Sequence, residues 1–182
     1  MELYLIRHGI AQERKPDFQD EERELTAEGR EKTRKVAKRL HSLGLHFELI
    51  LTSPLVRSRQ TAEILRSCGL SSQIKEFSCL APNGNIQTWL EWLEQRQMLS
   101  SADIQLAMVG HQPDLAQWAS ILVWGGCTDL LDVSKDSNTR PDRPPALVLK
   151  KAGIIGLKLP DTGSPVVGCS QLFWLTPPKF LL

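Results

Sequence analysis

Short apolar runs alternate along the chain with stretches whose apolar residues recur every three or four positions, the spacing of a helix that packs on a sheet. The runs predict strands at 3–6, 47–52, 73–77 and 104–109. The helical spacing predicts helices at 26–43, from Pro54 to 69, through the apolar stripe at 86–93, and from Pro113 to 124. Strands that alternate with helices indicate an α/β fold, a three-layer sandwich whose mostly parallel sheet is flanked by helices.

The last third of the chain departs from this alternation. The segment 127–145 is polar and rich in proline, and we expect it to form a mobile loop rather than a second domain. Beyond it, the pattern predicts a hairpin of 146–151 and 154–159, and one further strand at 171–175. Residues 1–182 are therefore expected to form a single domain.

Composition and charge exclude several classes of protein. The 182 residues are 41% hydrophobic and 24% charged, as in an ordinary globular domain. Because 22 Lys and Arg face 21 Asp and Glu, the net charge of +1 supplies no field that would attract nucleic acid or an anionic membrane. The longest stretch without charge, 162–178, contains three prolines and is not suited to span a bilayer. Any anion site must be local.

The cysteines and the N-terminus indicate the cellular compartment in which the protein is expected. The four cysteines include no CxxC pair, which disfavours a zinc knuckle or a dense disulfide framework. Met1-Glu2-Leu3 lacks the basic region that opens a signal peptide. We therefore expect a soluble cytoplasmic protein with reduced thiols.

Three polar clusters each follow a predicted strand, at 7–9, 53–57 and 110–111. In open α/β sheets, ligands bind outside the carboxyl ends of the strands, so these clusters are expected to converge. The convergence would join two arginines and two histidines, namely Arg7, Arg57, His8 and His111. Because a guanidinium group matches the geometry of phosphate oxygens, the sequence predicts a phosphate site.

The same residues suggest a nucleophile. Arg7 and Arg57 are expected to repel a charged imidazole, which would lower the pKa of His8 and keep it neutral near pH 7. In-line attack by His8 on phosphorus would form a phosphohistidine that water then hydrolyses, with Arg7, Arg57 and His111 balancing the charge. Gln12 is a candidate for one more phosphate contact.

A zinc site is the chemical rival for the two histidines His8 and His111. No acidic or thiolate ligand stands at the matching strand ends, and two arginines would repel a cation. No metal or other cofactor is therefore expected. His41 and His46 have no motif around them and are expected at a helix end or at the surface. Arg59 lies two residues beyond Arg57, and on a helix that spacing directs it away from the site, so it is also expected at the surface.

Four motifs in order carry a family resemblance: LYLIRHG at 3–9, LTAEG at 25–29, SPLVRSRQTA at 53–62 and VGHQP at 109–113. In this combination the chain resembles the histidine phosphatase (phosphoglycerate mutase-like) superfamily, over about residues 1–125. The resemblance implies the fold of that family, with His8 as the nucleophile and Arg7, Arg57 and His111 as the phosphate pocket.

Within the superfamily the chain is similar to the small phosphohistidine phosphatases of the SixA type, which lack a helical lid domain. Where larger members place an acidic glutamate, the segment LAPNGN at 80–85 has no carboxylate, and the next one is Glu91. An imidazole leaving group has an ordinary pKa of about 6.5 and needs little acid catalysis. The resemblance thus implies hydrolysis of phosphohistidine on a protein partner.

Two alternatives remain open from the sequence. One is a phosphatase for a small phosphorylated substrate, a phosphomonoester, with an acid from the loop at 17–24. The other is a module that binds phosphate without turnover, which the intact set of candidate catalytic residues disfavours.

Overall fold

The computed structural model describes residues 1–14, 19–96, 104–125, 147–161 and 163–182. The predicted loop at 127–145 lies outside the described residues. The strands are β1 (Glu2–Arg7), β2 (Leu49–Thr52), β3 (Ile74–Glu76), β4 (Gln105–Gly110), β5 (Ile154–Lys158) and β6 (Gln171–Thr176). The helices are α1 (Ala27–Ser42), α2 (Val56–Ser67), α3 (Ile86–Gln95) and α4 (Asp114–Trp124). Single 3-10 turns lie at Asp20–Glu22, Ser78–Leu80 and Pro178–Phe180.

The six described strands form one sheet in the order β3-β2-β4-β1-β5-β6. The first four are parallel, while β5 runs antiparallel to both β1 and β6. Arg7 pairs with Gly110, and Thr52 pairs with Val109, so the carboxyl ends of β1, β2 and β4 lie at one edge. The predicted α/β class is confirmed, with an antiparallel extension on one side.

Helices cover both faces of the sheet. Alternate residues of β1 point to opposite faces, as the two-residue period of a strand requires. Leu3 and Leu5 pack in a buried cluster with Trp89 of α3 and Trp118 of α4. Tyr4 and Ile6 pack in a second cluster, which contains Leu40 of α1 and Leu65 of α2. The result is the predicted three-layer sandwich.

The prediction of a hairpin from 146–151 and 154–159 is wrong. Residues 147–150 form no strand, and β5 pairs with β1 and β6 instead. The intervening Ala152 has a φ of 57°, and its backbone N–H donates to the carbonyls of Arg7 and His8. The turn is therefore tied to the end of β1, which places the neighbouring Lys151 beside the polar edge.

The ends of two helices also differ slightly from prediction. Pro54 was expected as the first helical residue, but α2 begins at Val56 with Leu55 as its N-cap. Ser53 remains outside the helix, where its N–H donates to the Val109 carbonyl. Pro113 is likewise the N-cap of α4 rather than its first residue.

The described residues also bear on the surroundings of the polar edge. No helical domain among them forms a lid over it. None of the described helices has the length and apolar character needed to cross a membrane.

Candidate active site

The four main predicted site residues meet at the carboxyl edge of the sheet. Arg7 ends β1, His8 follows it, Arg57 lies in the first turn of α2, and His111 follows β4. The centroids of the two histidine rings are 5.1 Å apart. Exposed fractions of 7% for His8, 3% for Arg57 and 4% for His111 place these three residues at the floor of the site. All four line a cavity of about 310 Å³.

The His8 ring is oriented by its own backbone neighbourhood. Its Nδ1 lies 2.7 Å from the Gly9 carbonyl oxygen. Because a carbonyl can only accept, Nδ1 carries the proton and Nε2 keeps its lone pair. Gly9 is required here, since a Cβ at this position would lie 2.4 Å from the Thr33 hydroxyl oxygen. The geometry thus fixes the tautomer that a nucleophile needs.

Burial is the main reason that both histidines are neutral. It lowers the pKa of His8 to about 3, against the opposing hydrogen bond to Gly9, with smaller contributions from His111, Arg57 and Arg7. Burial also lowers the pKa of His111 to about 4, with Arg57 as the next cause. The predicted repulsion by the arginines operates, but desolvation is the larger effect.

This burial predicts a pH dependence of stability. In the unfolded chain a histidine has a pKa of about 6.5. Below that pH the unfolded state therefore binds protons that the folded state does not bind, which favours unfolding. Stability present above pH 6.5 is therefore lost as the pH falls toward the folded-state values of about 3 for His8 and about 4 for His111. We expect the melting temperature to decrease between pH 7 and pH 5, measured by circular dichroism.

A double variant isolates the contribution of the two histidines. His8→Asn combined with His111→Asn should show a smaller decrease over the same pH interval, while exposed His41→Asn should behave like the unmodified protein. An unchanged decrease in the double variant would contradict the assignment.

His111 is held by two buried hydroxyls. Its Nε2 lies 2.9 Å from Ser53 Oγ and 3.4 Å from Ser58 Oγ. Both serines stand in the SPLVRSRQTA segment, so β2 and the start of α2 supply the groups that orient His111 as well as Arg57. These contacts were not predicted from the sequence.

Both arginines have donors that no described group satisfies. Arg7 donates through Nη1 to the Leu149 carbonyl at 2.9 Å, and its buried Nε has no partner. Arg57 donates to the backbone and the carboxylate of Asp20, at 2.6 and 2.9 Å, and its buried Nε is also unpaired. A buried donor without a partner lowers the free energy of unfolding. A bound anion would supply the missing acceptors.

Asp20 is a carboxylate shared between two arginines. One oxygen accepts from Arg57, and the other accepts from Arg23 at 2.9 Å. Desolvation opposes ionisation of this carboxyl, but Arg57 and Arg23 outweigh it, so the pKa of Asp20 is lowered. A phosphate that binds Arg57 has to share that guanidinium with Asp20 or displace it.

Gln12 is the one predicted site residue that the structure does not bring into the cavity. Its side chain is exposed and accepts from the Glu24 N–H at 3.4 Å. Its backbone carbonyl accepts from Arg23 at 2.7 Å, so Gln12 contacts a residue that lines the cavity. Arg59 is exposed and paired with Glu76 at 3.3 Å, as its position on α2 predicted.

Three charged lining residues were not predicted from the sequence. Arg23 and Lys151 add positive charge to the cavity, and Asp114 adds a carboxylate. Arg23 lies in an irregular polar segment and Lys151 in a distant one, so neither has a local signal. Asp114 directly follows the VGHQP motif, and that position was the available clue. The described residues include no group of three or more His, Cys, Asp or Glu side chains suited to hold a metal ion.

The carboxyl edge of a mixed sheet thus holds an arginine-lined cavity with a neutral, oriented histidine, an arrangement suited to bind a phosphoryl group. The family model of the histidine phosphatase superfamily (branch 1) matches residues 3–79. The chain therefore carries the sequence pattern of this superfamily over residues 3–79. It is also 44% identical, over 100% of its length and 99% of the relative's, to an uncharacterised protein of Picosynechococcus sp..

Solved structures share the fold. The protein histidine phosphatase SixA, complexed with tungstate, aligns over 100% of both chains with a TM-score of 0.75 and 23% identity. The alpha-ribazole phosphatase of Shigella flexneri aligns over 98% of this chain and 97% of its own, with a TM-score of 0.67 and 15% identity. The fold is thus common to phosphatases that differ in substrate.

Proposed function

We propose that this protein hydrolyses phosphohistidine on a protein partner, through a covalent phosphohistidine on His8. The observation that carries the proposal is the His8 ring, which lines one cavity with Arg7, Arg57 and His111 and has its Nδ1 engaged by the Gly9 carbonyl, so that Nε2 keeps its lone pair. A neutral imidazole is a good nucleophile, and the guanidinium groups match the oxygens of a phosphoryl group.

The reaction would take two steps. In the first, Nε2 of His8 attacks phosphorus while Arg7, Arg57 and His111 bind the non-bridging oxygens, and the leaving imidazole departs from the opposite side. In the second, water attacks the phosphorus bound to His8, and inorganic phosphate and free His8 result. The cationic groups are in place before the reaction, so they balance charge without rearrangement.

The rim of the cavity supports a protein substrate. Pro82 and Asn83 line the cavity and are exposed, and the described residues form no lid above them. An open cavity admits a side chain presented by a folded domain, but gives a small sugar few contacts for orientation. We propose a signalling domain as the partner and the cytoplasm as the compartment. The fold shared with SixA, described as a protein histidine phosphatase, adds to this support.

A substrate panel tests the proposal. Phosphohistidine should be hydrolysed well, p-nitrophenyl phosphate slowly, and a sugar phosphate least, because an alkoxide that leaves without a positioned acid forfeits about 10² to 10⁴ in rate. The readout is kcat/KM from released phosphate. A sugar phosphate that surpasses phosphohistidine would instead establish the small-phosphomonoester alternative, and no turnover of any substrate would indicate a binding module.

The same assay tests metal independence. Four cationic side chains line the cavity, Arg7, Arg23, Arg57 and Lys151, and they disfavour a bound metal cation. We expect kcat/KM to be unchanged after dialysis against EDTA. Activity that is lost to the chelator and restored by zinc or magnesium would refute a metal-free mechanism.

A further inference from the structure

One carboxylate lines a cavity that is otherwise basic. Among the described lining residues, four are cationic and Asp114 alone is acidic. A negative charge beside a bound phosphoryl group is unfavourable, because like charges in a partly desolvated site repel. Asp114 would therefore weaken phosphate binding, which suggests that it contacts the part of the substrate that is not phosphate.

The position of Asp114 fits that second role. It is the first residue of α4, three residues after His111, and it is half-buried. The backbone N–H of exposed Asn83 donates to its Oδ1 at 3.2 Å. Asp114 is thus attached to the rim, whereas His8 and Arg57 lie buried at the floor. The leaving group of an in-line reaction faces the rim.

The second carboxylate oxygen is available to a substrate. Within the part of the chain that the structure describes, the Asp114 carboxylate has one hydrogen bond, from the Asn83 N–H, and no ion pair. The 80–85 loop itself contains no carboxylate. Asp114 supplies one next to this loop, from the start of α4.

In phosphohistidine, one ring nitrogen is bonded to phosphorus and the second nitrogen is basic. We propose that Asp114 accepts a hydrogen bond from a proton on that second nitrogen, and so holds the substrate ring as an imidazolium. This inference rests on the proposed function. It makes Asp114 a residue that determines specificity for phosphohistidine over phosphate esters, which have no second nitrogen.

The electrons and protons of this step balance. The lone pair of His8 Nε2 forms the new bond to phosphorus as the bond from phosphorus to the substrate nitrogen breaks. The electron pair of the broken bond returns to the ring and cancels its positive charge, so neutral imidazole leaves with its proton still on the second nitrogen. Asp114 stays a carboxylate throughout, and no acid has to deliver a proton to the departing atom.

Loss of the Asp114 charge should have an effect that depends on pH. Asp114 favours the protonated substrate ring, whereas the cations that face the same cavity, Arg7, Arg23, Arg57 and Lys151, oppose it. Neutral His8 and His111 add no charge near pH 7. Without the Asp114 charge, the cations alone act on the substrate ring and disfavour its protonation. The loss of kcat/KM for phosphohistidine should therefore grow as the pH rises.

The test compares Asp114→Asn with the unmodified protein on two substrates at pH 6 and pH 8.5. For phosphohistidine, kcat/KM should fall about ten- to hundredfold at pH 8.5, the loss expected for one charged hydrogen bond, and less at pH 6. The loss for p-nitrophenyl phosphate should be at least about tenfold smaller. Asparagine retains an acceptor for the Asn83 N–H, and a melting curve verifies the fold.

Asp161→Asn is the matched control, since Asp161 is exposed and does not line the cavity; it should leave both substrates unaffected. Equal losses for the two substrates, or a loss for phosphohistidine that does not vary with pH, would overturn the role of Asp114. The unmodified protein decides the proposed function separately. If it does not hydrolyse phosphohistidine, the proposed function fails.

Discussion

Replacement of His8 by alanine is expected to lower kcat/KM by about 10⁴- to 10⁶-fold, the range seen when a covalent nucleophile or its essential partner is removed. The reason is geometric. Nδ1 of His8 is committed to Gly9, so the lone pair on Nε2 is the one that can attack phosphorus, and alanine offers no replacement. Initial rates with phosphohistidine and with p-nitrophenyl phosphate measure the effect.

His46→Ala is the matched control, because His46 is exposed and lies on the approach to β2, away from the cavity. Its activity should equal that of the unmodified protein. His8→Ala should still bind inorganic phosphate, because the arginine donors are intact. Residual activity above about one part in a hundred would mean that another group attacks phosphorus.

Arg57→Ala is expected to lower kcat/KM by about 10- to 10³-fold, as for loss of one charged donor that is strengthened in the transition state. Arg57 is 3% exposed, and its buried Nε has no partner among the described residues. Its removal also leaves Asp20 with Arg23 as its remaining arginine partner. The affinity for inorganic phosphate or tungstate as an inhibitor should decrease along with kcat/KM.

The neighbouring arginine provides the control for this prediction. Arg59 lies on the same helix, is exposed, and pairs with Glu76 at the surface, so Arg59→Ala should leave kcat/KM within about twofold. Arg57→Lys should remain impaired, because an ammonium group cannot donate in the forked geometry of a guanidinium. If both alanine variants were equally active, Arg57 would not belong to the phosphate receptor.

The predictions that held rest on local patterns. The apolar run before Arg7 and the run before Gly110 each specify a buried strand, and a strand end determines where the next polar residues lie. Because β1, β2 and β4 are parallel neighbours, residues far apart in sequence arrive at one edge. Arg7, His8, Arg57 and His111 could therefore be grouped without coordinates.

The features that escaped prediction depend on contacts between distant segments. The turn at Ala152 is determined by hydrogen bonds to Arg7 and His8, which no local pattern encodes, so a hairpin was expected there. Lys151 reaches the cavity through the same contact. The dominance of burial over charge in the pKa of His8 is likewise a property of packing.

The carboxylates near the site show a similar limit. The 80–85 loop contains no carboxylate of its own, but the structure places Asp114 of α4 beside it through the hydrogen bond from the Asn83 N–H. Asp20 belongs to the acidic segment that was an alternative source of an acid, and the structure pairs it with Arg57 and Arg23 instead. Pairing of this kind depends on which loops meet in space.

The most direct test is to trap the covalent intermediate. The protein is mixed with substrate labelled with ³²P on phosphorus, quenched in alkaline denaturant within the first turnover, and digested for mass spectrometry. We expect an adduct that is stable in base and labile in acid and that maps to His8, and no such adduct in His8→Ala. A phosphorylated serine or cysteine, or turnover without any adduct on His8, would contradict the proposed mechanism.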